Sequence, residues 1–111
     1  MVTSYIDGLT IGTMPPSLGT TIKVLRQNRQ ELIGKGLLNI AVFGSVARGE
    51  EQPGSDTDLL VKISDDMSAF GLAGLRVRLE TLVNNPVEIV TLAEFNQGFD
   101  RSAQEDVIVA Y

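Results

Sequence analysis

Residues 43–63 read FGSVARGEEQPGSDTDLLVKI. They hold a Gly-Ser pair behind an apolar run, an Arg-Gly pair, a Gln-Pro-Gly-Ser turn and two aspartates one residue apart. Leu37 to Phe43 is a nearly unbroken apolar run, short enough for a buried strand and stopped by Gly44. Ser45 to Arg48 suits a single helical turn, and Gln52-Pro53-Gly54-Ser55 is a turn by composition. Thr57 to Ile63, rich in β-branched and aliphatic residues, reads as the next strand. Side chains alternate along a strand, so Asp56 and Asp58 are expected on one side, with Lys62. Thr57, Leu59, Val61 and Ile63 then face the core.

Outward from that stretch the pattern becomes helical. Leu18, Ile22, Leu25, Leu32 and Ile33 follow helical spacing, with Arg29 interrupting the stripe. This predicts one helix, capped by Ser17 or Thr20 and ended by Gly34 and Gly36. Before it, Met14-Pro15-Pro16 closes a segment expected to be an extended arm. Beyond Ile63, Ser64-Asp65-Asp66-Met67-Ser68 offers caps for a helix over 69–83 with an apolar face of Leu72, Leu75, Leu79, Leu82 and Val83. Arg76 and Arg78 on it are most simply a solvated face. Asn84-Asn85-Pro86 ends that helix and Val87 to Val90 is a third strand. Residues 92–105 are expected to be helical, and Val107-Ile108-Val109 an edge strand. The strand–helix–strand unit over 57–90 has the length of a crossover, which makes its two strands parallel. The fold class is α/β or α+β: a small mixed sheet with helices packed on it.

Composition narrows the chemistry. The 111 residues suffice for one domain, and 43% hydrophobic with 21% charged residues is a globular balance. There is no Cys and no His, which excludes disulfides, thiolate–zinc sites, thiol nucleophiles and imidazole bases. Catalysis must rest on carboxylates, hydroxyls, Lys or Arg, or on a hard metal held by oxygen. A net charge of −5 gives no broad basic surface for counterion-release binding to nucleic acid. No apolar run is long enough for a membrane helix. MVTSYIDGLTIGTMPP lacks the basic start and apolar stretch of a secretory signal, so a soluble cytoplasmic protein is the expectation.

Each part of the quoted stretch has two readings. Asp56 and Asp58 either cap a turn and end a solvated strand, or close around a divalent cation such as Mg²⁺, which takes one or two carboxylates plus phosphate oxygens and water. Gly44-Ser45 is either a structural turn or a phosphate cradle of backbone N–H groups and a hydroxyl, where glycine permits close approach. No Gly-Lys-Ser/Thr follows, so it is not a Walker loop. Arg48 either neutralises phosphate or pairs with Glu50 or Glu51.

The combination is more specific than its parts. Gly44-Ser45, ten residues, then Asp56-x-Asp58 resembles the signature of the nucleotidyltransferases of the DNA polymerase β superfamily. Ala47-Arg48-Gly49, Ser55 and Leu59-Leu60-Val61 match its common form. Size and element order look most like the minimal nucleotidyltransferase subfamily. The resemblance spans roughly residues 20–105, which implies a nucleotidyltransferase domain over 17–111 and leaves 1–16 as the N-terminal arm. It implies that Gly44 and Ser45 bind the β- and γ-phosphates of a nucleoside triphosphate, commonly ATP, and that Asp56 and Asp58 hold Mg²⁺. A third acid on the next strand falls at Glu88 within Pro86-Val87-Glu88-Ile89-Val90, where the family has the shorter aspartate.

The resemblance further implies in-line attack of an acceptor hydroxyl on the α-phosphate, releasing pyrophosphate. With no acceptor domain in these residues, the acceptor is expected to be another molecule. Minimal nucleotidyltransferases are often paired with a HEPN-type (higher eukaryotes and prokaryotes nucleotide-binding) RNase toxin, whose tyrosine takes AMP. The chain would then be an antitoxin. Two alternatives stand beside this expectation. One is a non-catalytic antitoxin or scaffold that blocks its partner by binding. The other is a small-molecule nucleotidyltransferase working as a dimer, a homo-oligomer whose pocket is completed by a second copy across the interface.

Overall fold

A computed structural model describes residues 3–6, 9–98, 104 and 106–111. Its elements run β1 (Thr3–Ile6), β2 (Leu9–Thr13), α1 (Leu18–Gln27), α2 (Arg29–Gly34), β3 (Leu37–Phe43), α3 (Gly44–Arg48), β4 (Thr57–Ile63), α4 (Ala69–Val83), β5 (Val87–Thr91), α5 (Leu92–Gly98) and β6 (Ile108–Val109). Four strands form a mixed sheet in the order β5-β4-β3-β6. β3 runs antiparallel to both β4 and β6, while β4 and β5, joined through α4, are parallel as the crossover length predicts. The expected edge strand near the C-terminus is β6.

The two faces of the sheet differ. One is the main core, where Ile40, Val42, Leu59, Val61 and Val87 pack with Ile22 and Leu25 of α1 and Leu75, Leu79 and Val83 of α4. Burying these aliphatic side chains is the main driving force for the fold, roughly 1.5–3 kcal/mol for each large one. The other face carries Phe43, Leu60 and Val90 under Phe95 of α5, with the Phe43 and Phe95 rings edge to face at 5.2 Å. By alternation Asp58 and Glu88 lie on this second, thinly covered face.

One expectation is corrected, and two others are made more detailed. The single helix over 17–33 is two. Ser17 caps α1 by accepting from the Thr20 N–H. At Asn28 the backbone leaves helical values (φ −106°, ψ 15°), and its side-chain amide donates to the Val24 carbonyl at 2.8 Å. That local bond competes with the helix ladder and breaks it beside Arg29. The arm at the N-terminus includes a paired β1–β2 hairpin, with Thr3 opposite Thr13 and Ile6 opposite Leu9. Of the helix expected over 92–105, α5 covers 92–98, and residues 99–103 and 105 lie outside the described residues. Among the described residues, no helix is long and apolar enough to cross a membrane.

Candidate active site

The site is built where β3 ends and β4 and β5 begin. Gly44 follows β3 with φ +71°, a left-handed value that disfavours any residue with a β-carbon. A β-carbon placed there would overlap the Asp58 carboxylate. Glycine is therefore required twice over, for the turn and to leave room for the acid. The chain then enters α3, whose preceding residue Phe43 provides no side-chain cap, and leaves it at Gly49 with φ +70°. Ser45 is half-buried in the first turn of that helix.

Pairing decides which acids meet. Phe43 stands opposite Asp58 across β3 and β4, so the Gly-Ser turn is delivered to the aspartate. Asp58 stands opposite Glu88 across β4 and β5. Asp56 is exposed and precedes β4, which begins at Thr57, so the expected strand alternation does not extend to it. Its charge is still felt by Asp58. Burial, the charge of Glu88, a hydrogen bond with Glu88 and the charge of Asp56, in that order, push the Asp58 carboxyl up to about 6, with Arg48 pulling the other way. The sheet thus brings Asp58, Glu88, Asp56, Gly44 and Arg48 to one end of one face.

Arg48 has neighbours of its own. Its Nη1 donates to Asp106 Oδ2 at 3.2 Å, and its Nε lies 3.5 Å from Glu50 Oε2. The Glu50 pairing was one of the two sequence readings. Asp106 was not foreseen, because it arrives only when β6 pairs with β3. Lys62 is exposed at the far end of β4 and lines a groove of about 250 Å³ with Ala41, Leu60, Leu92, Val109 and Tyr111. Neither the acids nor the Gly-Ser turn borders that groove, so it is not where this chemistry would occur.

Two polar frames hold the acid-bearing strands. Asn85 is buried, and its amide donates to the Ser55 carbonyl at 2.9 Å and to Thr57 Oγ1 at 3.0 Å, bracketing Asp56. Arg76 and Glu80, one turn apart on α4, both bond the backbone of Val87, next to Glu88. Arg78 forms a bidentate pair with Glu31 at 2.6 and 2.8 Å. The two arginines are therefore engaged in specific contacts, contrary to the expectation of a merely solvated face. Nothing in the local sequence marks them, because their partners are supplied by other elements.

The donor set is oxygen only, which suits a hard cation of the Mg²⁺ type. Among the described residues, no three acids form a ready-made metal cage. Yet Asp58 and Glu88 stand opposite each other, and the proton affinity of Asp58 is raised first by burial and then by the charge of Glu88, which a cation would offset. Their chemistry fits such an ion, which Asp58 and Glu88 could hold with Asp56 adding charge nearby.

Comparison with known proteins identifies the family and the fold. The family described as nucleotidyltransferase domain matches residues 22–110. Protein adenylyltransferase MntA of Thermococcus cleftensis is 30% identical over 86 residues, covering 77% of this chain and 87% of that protein. A solved candidate minimal nucleotidyltransferase is 30% identical, with a TM-score of 0.55 over 78% of this chain and 93% of its own. A toxin–antitoxin crystal structure with AMP-PNP shares the fold, at 24% identity and a TM-score of 0.52 over 84% of this chain and 71% of its own. This chain belongs to the nucleotidyltransferase domain family, among its minimal members, and is an enzyme by that membership.

Proposed function

We propose that the chain transfers AMP from ATP to a hydroxyl of a partner protein, a HEPN-type toxin, and so acts as its antitoxin. The observation that carries this reading is the register of Asp58 with Glu88 beside a glycine that leaves room only for the Asp58 carboxylate. The related MntA is a protein adenylyltransferase, and the AMP-PNP-bound relative of the same fold is a toxin–antitoxin complex. Both support the acceptor class.

In this reading Gly44 and Ser45 take the β- and γ-phosphates through backbone N–H groups and the Ser45 hydroxyl. Asp56, Asp58 and Glu88 would hold Mg²⁺, and Arg48 meets phosphate charge at the rim. When bound, the metal would supply positive charge that stabilises the attacking and leaving oxygens. Glu88 orients the acceptor hydroxyl and takes up its proton. The hydroxyl oxygen bonds to the α-phosphorus in line as the bond to the bridging oxygen breaks, and pyrophosphate leaves. Positioning and electrostatics carry the catalysis, which needs neither His nor Cys.

The test is transfer from α-labelled ATP with Mg²⁺ to a co-purified HEPN-type partner. Label should appear on the partner and be lost in the double variant Asp56→Ala, Asp58→Ala. The longer Glu88 in place of the family's aspartate favours a second reading in which the chain blocks its partner by binding alone. Neutralisation that survives the double variant would decide for that reading.

A further inference from the structure

β5 is the outer strand of the sheet on the acid-bearing side. Along a strand, the N–H and C=O of one residue point to the same side and those of the next residue to the other. At Val87 both groups are taken by α4: Arg76 Nη2 donates to the Val87 carbonyl at 2.9 Å, and the Val87 N–H donates to Glu80 Oε2 at 3.1 Å. Two side chains one helical turn apart thus act as a substitute strand for a single residue at the open edge. The residue so gripped immediately precedes Glu88, and the opposite strand is gripped one residue before Asp58, where the Thr57 N–H donates to the Pro86 carbonyl at 2.9 Å.

Resting on the proposed activity, we propose that Arg76 and Glu80 are positioning residues for the third acid: their grip on Val87 sets the height of Glu88 beside Asp58, and with it the metal and acceptor geometry. An edge strand without this clamp is held on one side only and can slide or fray. Glutamate at 88 adds a rotatable bond compared with aspartate, so a fixed backbone beneath it matters more. The helix contributes nothing that touches substrate. It acts through the strand.

The experiment uses the whole chain and compares Glu80→Ala, Arg76→Ala, Glu80→Gln and, as a control on the same helix, Arg78→Ala. Mn²⁺ alone, followed by paramagnetic resonance without nucleotide, reads the acid cluster independently of turnover. Glu80→Ala and Arg76→Ala should each lower Mn²⁺ affinity and kcat about tenfold or more, with KM for ATP nearly unchanged, the range found when partners of metal-holding groups are removed. Glu80→Gln retains an oxygen that accepts from Val87 and should restore both. Arg78→Ala should lower only the melting temperature. If Glu80→Ala does not fold, Arg76→Ala carries the same expectation, since it leaves the Glu80 bond in place. Mn²⁺ affinity in the two alanine variants equal to that of Arg78→Ala would overturn the inference, as would failure of Glu80→Gln to restore it. A wild-type chain that neither binds Mn²⁺ nor transfers label would overturn the proposed activity itself and the inference with it.

Discussion

Substituting Gly44 by alanine separates the backbone requirement of the turn from the space requirement of the acid. Gly44 and Gly49 have almost the same conformation, with φ of +71° and +70°. They differ in surroundings: a β-carbon at Gly49 meets nothing within 4 Å, whereas one at Gly44 meets the Asp58 carboxylate. Holding an alanine in the left-handed region costs about 1–2 kcal/mol, and this is the whole expected cost of Gly49→Ala. Gly44→Ala adds an overpacking cost of about 1–3 kcal/mol, because the carboxylate must leave its place. Urea unfolding should therefore show Gly44→Ala destabilised by about 2–5 kcal/mol, with the melting temperature falling about 4 °C per kcal/mol for a chain of this size. The added cost should vanish in an Asp58→Ala background, where the Gly44→Ala and Gly49→Ala penalties become equal. Gly44→Ala and Gly49→Ala equally stable with Asp58 present, or Gly44→Ala retaining full Mn²⁺ affinity, would refute the contact between turn and acid.

Three further outcomes follow from the same geometry. Asp58 titrates near 6 in the folded chain against about 3.9 when unfolded, so the folded state binds more protons between those values. Its stabilising contribution is full below about pH 4 and lost as pH rises through about 6, so Asp58→Asn should raise the melting temperature more at alkaline than at acidic pH. Wild-type Mn²⁺ affinity should rise across the same interval, as Asp58 gives up its proton; a flat profile would contradict the assignment. Asn85→Ala leaves the Ser55 carbonyl and buried Thr57 without the amide donor, and urea unfolding should show a loss of about 1–3 kcal/mol. Arg78→Ala removes the Glu31 pair, and its effect on melting should shrink in high salt because the pair is screened by water and ions.

Much of this protein was legible along the chain. The apolar run of β3, the alternation of β4 and the caps of α4 at Ser68 are local signals, and each element appeared at its expected bounds. The two aspartates and the Gly-Ser pair were legible because their spacing is itself a short-range property of one turn between two strands. The absence of His and Cys bounded the chemistry before any fold was known. What stayed hidden was long-range or depended on a single side-chain bond. Asn28 looked like one more helical residue until its amide turned back on Val24.

The sequence by itself determined which groups were available: oxygen donors, a flexible turn, and strands whose alternation sorts core from surface. Tertiary structure alone decided which of them meet. The parallel register of β4 and β5 set Glu88 opposite Asp58, across 30 residues of chain. The pairing of β6 with β3 accompanied Asp106 to Arg48, and the packing of α4 on the sheet laid Arg76 and Glu80 against Val87. Local propensity is written in neighbouring residues, whereas register is set by the burial of a whole sheet face, in which no single residue carries the instruction.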